Sequence, residues 1–179
     1  VLERKTAGEC AMKRTVVGML SLVLLSGGLA AAAEKTGLED IWITEGGRSR
    51  VEITKRADGK FYGKIVWIKE PLYLEDEEET GQPRRDKNNP DPKLRSRPLM
   101  NLELLSGFVP DGENKWKKGT IYDPESGKTY KCKISMEGND TLHVRGYIGI
   151  SLLGRTTVWK RWHPEKEDEE ESEAEEEES

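Results

Sequence analysis

Residues 128–148 constrain this chain more than any other stretch, because their alternation is compatible with one pairing only. Tyr130, Cys132, Ile134 and Met136 alternate with Lys131, Lys133 and Ser135, so one face is apolar and the other basic. Beyond Gly138-Asn139-Asp140, the residues Leu142, Val144, Gly146 and Ile148 alternate with His143, Arg145 and Tyr147. A three-residue loop sets Glu137 opposite Thr141 and gathers every apolar residue on one face. A two-residue loop would slip the pairing and mix the faces, which burial of one face penalises. Gly and Asn accept the positive φ that such a loop needs. A further extended segment, 155–162, is rich in Val, Thr and Trp and follows a connection holding Gly149 and Gly154. The expectation is a stacked or closed sheet with a continuous apolar inner surface.

The same rhythm runs upstream. Residues 38–44 read as a short strand centred on Trp42, and residues 49–55 as its return, with Val51 and Ile53 on one face. Asp58-Gly59 marks a hairpin turn. Residues 61–69 are apolar on both faces, which predicts a central strand covered on each side. Residues 70–98 break the pattern with five of the eight prolines, an acidic run at 75–79 and the pair Arg84-Arg85. So long an aperiodic segment is either a functional flap or a disordered loop. Its acidic run lacks the alternating ligands and central glycine of a calcium loop. Apolar character resumes at 99–108, 116–122 reads as a strand, and 123–127 makes the next turn. No helical period appears beyond the N-terminal segment. The chain reads as all-β, an up-and-down antiparallel β-barrel of about eight strands.

Both ends read as separate from that barrel. Met12 is followed by Lys13 and Arg14, an apolar run at 16–25 and small residues ending in Ala31-Ala32-Ala33. These are the parts of a secretory signal peptide, with translation starting at Met12 and cleavage before Glu34. The apolar run is too short to span a bilayer, so no integral membrane span is expected after processing. Residues 165–179 hold eleven acidic side chains and one lysine, with nothing to bury, and are expected to be a disordered tail, first a solubilising extension and alternatively a weak binder of basic protein partners or divalent cations. Between them, residues 34–164 form one domain with 24 basic and 21 acidic side chains. The expected location is the periplasm or the exterior. Cys132 is the single cysteine left after processing and falls on the apolar face, where it should behave as an inert small hydrophobe.

Catalytic patterns are missing. The chain has two histidines, His143 and His163, and no nucleophile elbow, zinc-protease motif or phosphate loop. His143 falls on the polar face. These observations predict a protein that is not an enzyme and carries no cofactor or metal. The mildly basic domain and its export argue against nucleic acid as a partner.

The segments 123–134 (DPESGKTYKCKI) and 144–161 (VRGYIGISLLGRTTVWKR) resemble a bacterial exported family catalogued as domain of unknown function number 2147. So do SRVEI at 49–53, FYGKIV at 61–66 and NNPDPKLRSRPL at 88–99. The resemblance implies a small barrel similar to lipocalins and fatty-acid-binding proteins. Members tend to carry Gly-x-Trp near the first strand, and Asp40-Ile41-Trp42 departs at the glycine. In lipocalins that tryptophan packs over the barrel bottom against a late basic residue, a place that the resemblance offers to Arg155 or Arg161. A barrel of this size can hold one small ligand. A periplasmic binding module for a small amphiphilic or anionic molecule is the first expectation, with Trp67, Tyr130, Arg145, Tyr147 and Arg155 as candidate ligand-binding residues. The alternative is an envelope or stress-related interaction protein with a filled barrel, acting through its 70–98 loop and acidic tail.

Overall fold

Every alternating run forms a strand, and eight strands follow in chain order: β1 (Asp40–Ile43), β2 (Ser49–Lys55), β3 (Phe61–Ile68), β4 (Glu103–Pro110), β5 (Lys115–Asp123), β6 (Lys128–Glu137), β7 (Thr141–Tyr147) and β8 (Gly154–Arg161). The structure, a computed structural model, describes residues 37–75 and 78–165. The expected leader and all of the expected tail except Glu165 lie outside the described residues. Each strand pairs antiparallel with its neighbour in sequence, and β8 returns to β1, closing the barrel. The expected register of β6 and β7 holds, with Glu137 opposite Thr141 and Cys132 opposite Gly146. Closure also removes the edges that an open sheet would expose. A ring has no central strand, so the place predicted for residues 61–69 is revised.

The inward row is a continuous apolar core that includes Trp42, Val51, Ile53, Ile65, Phe108, Trp116, Ile134, Leu142, Val144 and Trp159. Glycines let large side chains cross it. A Cβ added at Gly119 would fall 2.4 Å from the Phe108 ring, and one at Gly63 would lie 3.0 Å from both Leu105 and Val51. Space beside those glycines is thus taken by neighbouring side chains, at the density expected of a protein interior.

Residues 69–102 link β3 to β4, and the described part of this flap is ordered rather than an expanded loop. The order comes from polar contacts. Asp86 is fully buried; its carboxylate accepts from Tyr122 Oη at 2.5 Å, Asn89 Nδ2 at 2.7 Å and Arg97 Nε at 2.9 Å. Burial, then the bond to Asp86, raises the pKa of the Tyr122 hydroxyl. The NNPDP run supplies local turns: Asn89 Oδ1 accepts from Asp91 N, and Asp91 Oδ1 from Lys93 N at the start of a short 3-10 turn, Pro92–Leu94. Asn88 Nδ2 donates to Glu125 O at 2.8 Å, docking the flap on the β5–β6 turn. Gly127 in that turn has φ +67°, and a Cβ there would sit 1.8 Å from Asn88 O. Glycine is required there by both conformation and contact.

Cys132 is fully buried, and desolvation pushes its thiol up to about 12. Thiolate is the reactive form, so folded protein should resist iodoacetamide at pH 8 until denaturant is added. A Lys131→Cys variant, with the new thiol on the exposed outer face, should be alkylated at once. Equal labelling of both positions in native protein would overturn the register.

Candidate ligand-binding site

Strand direction gives the barrel two unlike ends. The short turns 56–60, 111–114 and 138–140 share one end with the start of β1 and the finish of β8. The connections 44–48, 69–102, 124–127 and 148–153 surround the other. At the first end Trp42 is fully buried and donates from Nε1 to Leu38 O at 3.0 Å. Arg161 stacks on it, guanidinium to ring centroid 4.3 Å. Arg161 also bonds Asp40 through Nη1, Gly37 O through Nη2 at 3.0 Å and Asn139 O through Nε at 2.7 Å. Of the two arginines offered that place, Arg161 takes it. This end is sealed.

The five candidate residues lie in three places. Tyr130 belongs to the inward row of β6 and pairs with Ile121. Arg155 faces Gly146 across β7–β8, in the inward row of Thr157, Trp159 and Arg161. A Cβ on Gly146 would meet Ile121 at 3.3 Å and Tyr130 at 3.6 Å. Tyr130, Gly146 and Arg155 therefore form an inner patch near the open end. Arg155 reaches past the rim, its side chain 82% exposed, and pairs with Glu45 Oε2 at 2.8 Å.

Arg145 and Tyr147 lie on the outer wall. Arg145 donates from Nε to Ser151 O, from Nη2 to Leu152 O and from Nη1 to Thr156 Oγ1, which pins the 148–153 loop. Tyr147 lines an outer concavity of about 440 Å³ with Lys117, Lys118, Gly119, Thr120 and Lys131. A bulge between Trp116 and Gly119, with Lys118 at φ 62°, leaves two consecutive lysines exposed there. Trp67 is in neither place. Its ring lies 4.3 Å beneath Arg50, which also stacks on Trp162 at 4.7 Å. Arg50 alternates with the buried Val51, and the register shift between them carries Trp67 to the outer face.

Neither histidine joins these groups: His143 Nε2 lies 2.9 Å from Glu137 and His163 Nε2 3.2 Å from Asp140. Among the described residues, no cluster of His, Cys, Asp and Glu has the geometry to hold a metal ion. Also among them, no helix is long and apolar enough to cross a membrane.

An eight-stranded up-and-down barrel, sealed at one end by tryptophan under arginine and framed by loops at the other, is a lipocalin-like barrel. Helicobacter pylori protein HP1028, described as belonging to the lipocalin family, is similar: TM-score 0.62 and 27% identity over 74% of this chain and 87% of that one. Residues 40–161 match the family described as uncharacterized protein conserved in bacteria, domain of unknown function 2147, and the chain belongs to it. No curated protein matches.

Proposed function

We propose that this is an exported, non-enzymatic binding protein that holds a small amphiphilic or anionic molecule at the open end of its barrel. The observation that carries the reading is the pairing of a sealed floor with an arginine at the opposite rim. The Arg155 guanidinium makes an exposed ion pair with Glu45, and it stands beside the apolar inner patch of Ile121, Tyr130 and Gly146. An acyl or aryl group would rest on that patch, and a carboxylate or phosphate would replace Glu45 on the planar guanidinium. The leader-like segment at 12–33 supports export.

Titration calorimetry against medium-chain carboxylates and alkyl phosphates tests this. Saturable binding is expected. Arg155→Ala should cost about 1.5–3 kcal/mol of affinity, the range for a hydrogen bond to a charged group. Folding should be unchanged, because exposed ion pairs contribute about 0–1 kcal/mol. Absence of saturable binding would sink the proposal. The second reading, a filled barrel acting through its flap and acidic tail, would then stand, and the packing of Phe108 over Gly119 already favours it.

A further inference from the structure

The connection between β7 and β8 exposes apolar side chains in a way that a folded monomer does not need. Ile148, Ile150, Leu152 and Leu153 are 59–85% exposed within six residues. Isolated exposed leucines are ordinary, whereas such a cluster marks a contact surface. The loop is also held in shape. Arg145 donates to two of its carbonyls, and Leu153 N donates to Ile150 O at 3.1 Å. Presenting these side chains to a partner therefore costs little further ordering.

Basic residues stand directly behind the loop. Lys131 pairs across the sheet with Tyr147, and Lys133 with Arg145, both on the outer wall that leads to it. Lys117 and Lys118 line the concavity that Tyr147 and Lys131 share. Lys117 is paired with Asp111. Among the described residues the ammonium groups of Lys118, Lys131 and Lys133 are not paired with an acid, and all three residues are exposed. The nearby acids at this end are committed elsewhere, Glu45 to Arg155 and Glu125 to Arg48.

From this juxtaposition we infer that the 148–153 loop and the lysines of β5 and β6 form a docking surface for an anionic lipid bilayer. The apolar tip enters the headgroup boundary, Tyr147 lies at its level, and the long lysine side chains reach the phosphates. The exposed apolar tip beside a row of lysines matches the apolar depth and the plane of negative charge that an anionic bilayer presents. The inference is independent of the proposed ligand patch, since Tyr130 and Arg155 take no part in it.

Vesicle co-sedimentation tests it, using the chain from 34 to 179, whose barrel closes on its own core and which lacks the apolar run at 16–25. Vesicles of three parts phosphatidylcholine to one part phosphatidylglycerol should bind the protein, and pure phosphatidylcholine much less. Ile150→Ser/Leu152→Ser/Leu153→Ser should weaken binding at least tenfold with an unchanged melting curve. Removing charge with Lys131→Gln or Lys133→Gln should cost on the order of fivefold each. Inorganic phosphate should compete no better than chloride at equal ionic strength. No binding to the mixed vesicles, equal binding by the triple variant, or specific competition by phosphate would each overturn the docking surface.

Discussion

Arg161→Met is expected to lower the stability of the barrel by about 3–5 kcal/mol, the cost of leaving one member of a buried ion pair behind. The side chains of Arg161 and Asp40 are only 4% and 7% exposed. Methionine keeps most of the volume over Trp42 but removes the cation paired with the buried Asp40 carboxylate. It also removes the donors to Gly37 O and Asn139 O. Chemical denaturation would show the loss as a lower midpoint with little change in slope. A double variant, Arg161→Met with Asp40→Leu, should recover more than half of it, because the buried carboxylate is removed with its cation and the remaining partner, Asp140, is exposed. An Arg161→Met protein within about 1 kcal/mol of the parent would show that the seal is ornamental to the fold.

Asp86→Ala is expected to release the flap while the barrel stays folded. The carboxylate gathers bonds from Tyr122, Asn89 and Arg97 at a fully buried position, and hydrogen bonds to a charged group contribute about 1.5–3 kcal/mol each. They are not additive, so a local loss of about 3 kcal/mol is the expectation. Limited trypsin digestion reads it directly. Arg84, Arg85 and Lys87 lie beside Asp86, and cleavage there should accelerate at least tenfold, since local opening controls access. The strand signal in circular dichroism should remain. Unchanged cleavage would mean that the docking of Asn88 on the β5–β6 turn holds the flap without Asp86.

Period-two alternation with a buried face made the barrel legible, and the β6–β7 pairing could be written down residue by residue. The flap was not legible in the same way. Its order depends on one carboxylate meeting a tyrosine from β5, and on Asx turns at Asn89 and Asp91, none of which has a period. Its NNPDP run was the available signal. The candidate site was half legible. Alternation along β7 already set Arg145 and Tyr147 on the face opposite Tyr130, so the five residues could not converge from one strand face. The move of Trp67 rests on a bulge in β2–β3 pairing that no local residue choice announces. The exposed 148–153 loop was seen as two glycines bounding a connection, and its apolar content became informative only once its side chains were found outside the core.

One seam joins the barrel to itself. Seven of the eight strand pairs link neighbours in sequence, whereas β1 meets β8 through two residue pairs, Trp42–Arg161 and Ile43–Lys160. The clasp across it, Arg161 to Asp40, spans 121 positions. Such a contact gives nothing until nearly the whole chain is in place, because the entropy of closing so long a loop comes first. The order of events in folding is therefore written into the ring. The expected order is local hairpins first and closure last, with the guanidinium that seals the floor as the latch that ends the process.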